Sequence, residues 1–284
     1  MSRRLRMVDV FGSRPLTGNQ LAVIIDSDGL TATDMLEITR WVNFSETTFI
    51  LPPTSEQADY RVRIFALAGE LPFAGHPTLG TCHVWRSLSE DPAEVVVQEC
   101  GAGLVPVRHV DGLLSFRAPP QIRDGEVDRS QLERFAAVLG IDLSEIVASR
   151  WVDNGPGWVG ILLANADRVR SLHPNRSGYG PDERLDIGVA GFHPPDAGAL
   201  YEVRAFFSNQ HGELIEDPVT GSLNASMAQW LTGTGRAQPP FVVSQGGNVG
   251  RSGAVEIEAD DDGAIWVGGR VFDVVEGRLP DEIL

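Results

Sequence analysis

Apolar and polar positions alternate between two periods along the chain, and the changes of period mark out short elements of both kinds. Met7–Phe11 and Leu21–Ile25 read as strands around a turn at Thr17-Gly18-Asn19. Over 31–43 the period lengthens to that of a helix. Thr31 or Thr33 can cap it, and Met35, Leu36, Ile38, Trp41 and Val42 form its apolar stripe. Thr47–Leu51 is a β-rich run stopped by Pro52-Pro53, and Arg61–Phe65 alternates as a half-buried strand does. Pro77–Leu88 is predicted to be a helix with proline in its first turn. Val95–Gln98, Val105–Val110 and Leu113–Phe116 read as strands, the last two joined by a hairpin at Asp111-Gly112.

A polar stretch from Ala118-Pro119-Pro120 to about Ser130 reads as the main linker, and the theme then resumes. Ser130–Leu139 is predicted to be a helix ended by Gly140. Trp158–Leu163 and Tyr201–Phe207 are predicted strands, and Gly221–Leu231 a helix ended near Gly233. Val255–Ala259 and Ile265–Val267 are predicted strands flanking Asp260-Asp261-Asp262-Gly263. No calcium-ligand set follows that triplet, so it is expected to be a solvated hairpin turn. The expected domains are residues 1–117 and 124–269.

Residues 62–81 (VRIFALAGELPFAGHPTLGT) and 203–222 (VRAFFSNQHGELIEDPVTGS) align without a gap at an offset of 141. Val62/Val203, Arg63/Arg204, Phe65/Phe206, Pro77/Pro218 and Gly80/Gly221 are identical in that alignment. Each segment reads as strand, loop and helix start, so each half is expected to present unpaired helix amides with a partial positive charge. Packed about a pseudo-twofold axis, the two helix starts would face one cleft and form an anion site without lysine. His76 and Asp217 hold equivalent places in this alignment. The residue before a proline is steered away from helical ψ, so both are expected in loops just ahead of their helices.

The charge pattern narrows the partners. A net charge of −16 without a basic stripe argues against nucleic acid and anionic membranes. All 23 basic residues are arginine, which excludes a lysine Schiff base and a Walker P-loop. No G-x-G-x-x-G follows a strand, so no dinucleotide or other cofactor is motivated. The histidines have no short metal-ligand pairing, so no metal is expected. Cys82 and Cys100 lack redox spacing, and a reduced, cytoplasmic setting is the simpler reading. Asp9 and Gly12 interrupt the N-terminus, so no signal peptide is expected.

Glu46, between apolar neighbours, reads either as a surface or capping glutamate or as an acid/base with a raised pKa. His76 reads as a capping or functional histidine, and Asp217 as an N-cap or a functional carboxylate. Ser222 lies in its helix's first turn, with no nucleophile elbow around it. Gly246-Gly247 suits either a hairpin turn or an amide nest.

Asp9-Val10-Phe11, Thr17-Gly18-Asn19, Ser45 to Phe49, Glu70 to Thr78 and Glu216 to Ser222 together resemble the PhzF-like family, named for phenazine biosynthesis. The resemblance runs from about residue 7 to the C-terminus. It implies the diaminopimelate-epimerase-like α/β (α+β) fold: two pseudo-symmetric halves, each a curled, mostly antiparallel sheet around a central helix. It also implies that the tail, about residues 270–284, returns to the first half, and that the protein is a homodimer. The implied activity is a cofactor-independent isomerisation of a small anionic substrate. Glu46 matches the family's proton-shuttling glutamate, and His76, Asp217 and Ser222 match its substrate-holding residues. Asn19, Gly75 and Gly221 are the further substrate-binding candidates. Two departures stand out: Gln20 where the family often has proline, and residues 167–199, which fit no family motif and are expected to shape the pocket rim. A two-cysteine racemase would need a thiol at each helix start, where His76 and Asp217 are expected. A catalytically silent small-molecule-binding member of the fold is the other alternative.

Overall fold

The computed structural model describes residues 2–176, 179–180, 183–209 and 211–280. Parts of two expected regions, 177–178 and 181–182 of the rim and 281–284 of the tail, lie outside the described residues. The chain divides into two compact units, Met1–Arg117 with Gly268–Leu284, and Ala118–Val267. The fold is the diaminopimelate-epimerase-like one, of mixed α+β class.

The first unit begins with β1 (Arg3–Val10), β2 (Asn19–Ile24), α1 (Ala32–Val42), β3 (Glu46–Leu51) and β4 (Tyr60–Ala66). It continues through β5 (Gly69–Leu71), α2 (Gly75–Leu88), β6 (Val95–Cys100), β7 (Gly103–Val110) and β8 (Leu113–Arg117). Thr31 caps α1 in a reciprocal capping box with Asp34, as Ser/Thr caps do when an acid follows three residues later. Met35 and Ile38 are buried, but Trp41 turns outward, 78% exposed, so the stripe is narrower than the sequence pattern suggests. Asp111 and Gly112 both have positive φ, 51° and 79°, as a two-residue hairpin requires. The central helix α2 packs against β1, β2, β3, β4 and β8. Gly80 permits that approach: a Cβ there would lie 2.6 Å from Leu21 Cδ2.

The second unit runs β9 (Arg123–Gly125), α3 (Arg129–Leu139), β10 (Ala148–Asp153), β11 (Val159–Leu162), α4 (Ala166–Arg170), β12 (Asp186–Phe192) and β13 (Tyr201–Ser208). Then come β14 (Leu214–Asp217), α5 (Gly221–Gly233), β15 (Phe241–Gln245), β16 (Gly253–Ala259) and β17 (Ile265–Gly269). The expected linker thus contains a strand, β9, antiparallel to β10. Asp260 accepts from Ala264 N–H (2.7 Å) and Trp266 Nε1 (2.9 Å), so the acidic turn uses this carboxylate on protein donors. The last strand, β18 (Val271–Leu279), belongs to the first unit and runs antiparallel to β1 from Arg3↔Leu279 to Val10↔Val271.

The strand pairings of the two units repeat. In the first, β1–β2 is antiparallel, β2–β3 parallel, β3–β4 and β4–β5 antiparallel, β4–β6 parallel and β6–β7 antiparallel. In the second, β10–β11, β11–β12, β12–β13, β13–β14, β13–β15 and β15–β16 follow in the same sequence of senses. Even the flanking strands correspond, β18 beside β1 and β9 beside β10.

The register corrects the gapless alignment. Phe65 faces Glu70 in β4–β5, and Phe206 faces Glu216 in β13–β14. The offset is therefore 141 in the first strand and 146 after the hairpin, because the second hairpin loop is five residues longer. Arg63 grips Glu70 through Nε (2.7 Å) and Nη2 (2.6 Å), and Arg204 grips Glu216 in the same two-pronged way at 2.9 and 2.7 Å. At the new offset Glu70, Pro72 and Gly75 coincide with Glu216, Pro218 and Gly221. The counterpart of His76 is Ser222, and that of Asp217 is Leu71.

Candidate active site

Glu46 opens β3, paired across to Ala66 of β4. Residues two apart on a strand share a face. Thr48 accepts a hydrogen bond from Thr81 of α2 at 2.8 Å, so Glu46 also faces that helix. It is neither a cap nor a surface glutamate, since its side chain is only 18% exposed. Burial raises its pKa above the ordinary carboxyl value, opposed more weakly by the Ser45 hydroxyl. Among the described residues its buried Oε2 has no hydrogen-bond partner.

His76 Nε2 lies 3.5 Å from that oxygen. His76 is not in a loop ahead of the helix but in its first turn, since α2 begins at Gly75. The proline is tolerated there because no early helix N–H has an intrahelical acceptor. Thr78 is the first intrahelical donor, to Ala74 C=O at 3.2 Å. Asn19, first residue of β2 rather than part of the turn, places Nδ2 3.4 Å from His76 Nδ1. An amide donor at Nδ1 leaves Nε2 carrying the ring proton toward Glu46. Asp9 shapes the loop ahead of Asn19 by accepting from Thr17 N–H (3.0 Å) and Gly18 N–H (2.9 Å).

The second unit carries the remaining predicted residues. Asp217 is not a helix cap; it ends β14, opposite Ala205, four residues before α5. Its carboxylate accepts from Thr220 Oγ1 at 2.6 Å, and Thr220 holds the N-cap position. Gln245 ties this corner together, accepting from Thr220 N–H (3.0 Å) and Asn224 Nδ2 (2.8 Å). Gly221 begins α5, and Ser222 follows it with Oγ accepting from Trp158 Nε1 at 3.0 Å. Asn154 Nδ2 donates to Ser222 C=O at 2.9 Å. Gly246, with φ 95°, lies in the turn before a short 3-10 segment and against the loop that leads into α5, where a Cβ would meet Pro218 O at 2.5 Å.

Trp158 and a second buried carboxylate, Asp186, escaped sequence reasoning. Asp186 opens β12, within the stretch that matched no motif. Its run of Ile187, Val189 and Ala190 is fully buried, a signal for an interior strand that composition alone obscured.

Thiol chemistry finds no support at these positions. His76 and Ser222 occupy the two equivalent helix places. Cys82 is buried inside α2, where burial pushes its thiol up to about 12. Among the described residues no group of three or more His, Cys, Asp or Glu could hold a metal ion, and no helix is long and apolar enough to cross a membrane.

Two α/β units of one strand order define the epimerase-like fold, and the first sets the Glu46 carboxyl of β3 beside a histidine in the first turn of its central helix. The phenazine biosynthesis-like protein family matches residues 8–277, and the chain belongs to it. It is 31% identical to trans-2,3-dihydro-3-hydroxyanthranilate isomerase of Pseudomonas aeruginosa, covering 97% of this chain and 98% of that one. It is 32% identical to antisense-enhancing sequence 1 of Schizosaccharomyces pombe, over 96% and 97% of the two chains. The crystal structure of a PhzF-family protein from Bacillus anthracis superposes with a TM-score of 0.81 at 24% identity, covering 99% of each.

Proposed function

We propose that this isomerase moves a proton between two carbons of a small carboxylate substrate, with Glu46 as the group that takes and returns it. The Glu46 carboxyl carries the reading: buried, raised in pKa, its Oε2 making no hydrogen bond among the described residues and having His76 Nε2 3.5 Å away. Such a group is poorly solvated as an anion and so accepts a proton readily. The ionised carboxylate removes a proton from one carbon, the electron pair shifts along the conjugated system, and the carboxylic acid returns the proton to another carbon. No atom is gained or lost and nothing is oxidised.

His76 Nε2–H, beside Glu46, serves to steady the carboxylate and to hold a polar substituent of the substrate. Asp217 and Ser222 are the candidate substrate-holding groups of the second unit. The amides at Gly75 and Gly221 suit an anion, since each opens a helix of at least three turns. Two-base racemisation is less well supported. Among the described residues the hydroxyl of Ser222, at the second helix place, is bonded by the Trp158 N–H donor and by no base.

The test uses trans-2,3-dihydro-3-hydroxyanthranilate, the compound named in the Pseudomonas aeruginosa relative. Wild type is expected to isomerise it, or a related cyclic carboxylate, with solvent deuterium entering the accepting carbon. Unchanged turnover in Glu46→Gln would sink the glutamate shuttle.

A further inference from the structure

Register places a second carboxyl group where Glu46 has its twin. Glu46↔Ala66 and Thr47↔Phe65 pair in the first unit; Asp186↔Phe207 and Ile187↔Phe206 pair in the second. Since Phe65 and Phe206 coincide, Asp186 coincides with Glu46. The parallel neighbours agree: Ala22↔Thr47 corresponds to Val159↔Ile187, so Trp158, the residue just before β11, is in step with Asp186, the residue before Ile187.

Facing follows from the same strand. Gly188 lies against the first turn of α5, since a Cβ there would meet Leu223 Cδ1 at 2.3 Å. Asp186, two residues earlier, shares that face. Its side chain is 8% exposed. Trp158, just ahead of β11, donates to Ser222, the counterpart of His76. The charged groups around it are Arg184, whose Nε meets Oδ2 at 2.6 Å, and Asp153 of β10. Its uncharged neighbours are Trp158, just ahead of β11, and Phe207 opposite on β13.

We propose that Asp186 is a carboxylate-binding group of the second unit, holding in β12 the place that Glu46 holds in β3. The inference rests on the reading of the chain as an isomerase of a small carboxylate. Burial and the Asp153 charge outweigh Arg184 and push the Asp186 carboxyl up to about 6, so near neutrality it changes protonation state readily. A protonated Asp186 donates its O–H to a bound carboxylate, whereas an ionised one repels it. Binding therefore draws a proton onto Asp186.

Calorimetric titration with benzoate, in buffers of different ionisation heat at pH 7.2, reads that proton directly. Wild type is expected to take up close to one proton per benzoate, with affinity falling by up to about tenfold per pH unit between pH 6.5 and 8. Asp186→Asn should abolish both the uptake and the pH dependence, and Asp186→Glu should restore them. If the asparagine variant fails to fold, the wild-type and glutamate titrations still decide. The inference is overturned if wild type fails to bind benzoate or binds it without proton uptake. It is also overturned if Asp186→Asn keeps the uptake, or if the folded glutamate variant lacks it. Glu46→Gln separates this inference from the reading it rests on. The variant should lose turnover yet keep the uptake. Unchanged turnover would defeat the glutamate shuttle alone, and loss of uptake there would assign the proton to Glu46 and defeat the role of Asp186.

Discussion

The two halves share a scaffold and differ in what they mount on it. Both have a loop-shaping aspartate, Asp9 accepting from Thr17 and Gly18 and Asp153 accepting from Gly155 and Gly157. Both lock the hairpin before the central helix with an arginine–glutamate pair and begin the helix at a glycine. At the positions that face the helix starts they diverge: Glu46 and His76 in one, Asp186 and Ser222 with Trp158 in the other. Features present in both halves are what the fold needs. Those that differ are the positions on which the proposed chemistry rests.

The ion pairs give the largest expected contrast. Arg204 and Glu216 are 5% and 13% exposed, whereas Arg63 and Glu70 are 29% and 42% exposed. Removing one partner of a buried pair strands a charge, so Arg204→Ala should destabilise the chain by about 3–5 kcal/mol. Arg63→Ala should cost less than about 1 kcal/mol. Urea unfolding measures both, and equal losses would break the distinction.

Asp186 gives the next effect. Its folded pKa of about 6 against an ordinary 3.8 means that the native state holds the proton more tightly. The stability linked to that proton is fully present below pH 3.8 and is lost as pH rises through 6, about 3 kcal/mol in all. Asp186→Asn cannot ionise, so its stability relative to wild type should climb by about that amount between pH 4 and 7.5. A flat difference across that window would show that the carboxyl is not raised.

Trp158→Phe tests the smallest contrast. It removes the donor to the Ser222 hydroxyl while keeping most of the apolar bulk, and should cost about 1 kcal/mol of stability. Leu21 is the counterpart of Trp158 in the first half. Because it makes no such bond, Leu21→Met should change stability only through packing, within about 1.5 kcal/mol.

Much of the scaffold was legible because periodicity and turn chemistry act locally. Thr31 announces its helix, Asp111-Gly112 its hairpin, and Gly140 its helix end, where it adopts φ 68°. The sequence named the candidate site residues, but where they lie was less legible. A constant offset set Pro77 on Pro218, whereas Glu-x-Pro-x-x-Gly at 70–75 and 216–221 was the pattern that tracks the structure. Loop length in the intervening hairpin carries no periodicity, so the five-residue difference was invisible until register fixed it. His76 shows the limit of a local rule: the proline's steric preference yields to burial of the whole first turn of α2. Asp186 was hidden because its significance lies in cross-strand pairing, which no spacing in the chain reports.

The central claim is that the buried Glu46 carboxyl moves the proton. Its most direct test is single-turnover isomerisation in deuterium oxide by wild type and Glu46→Gln, with the substrate in excess of its Kd. Glutamine keeps the side chain's shape, so binding should change little while the rate falls about 10²–10⁴-fold. Deuterium should appear at the accepting carbon in wild type. A Glu46→Gln rate within a few fold of wild type, with the same deuterium pattern, would contradict the account.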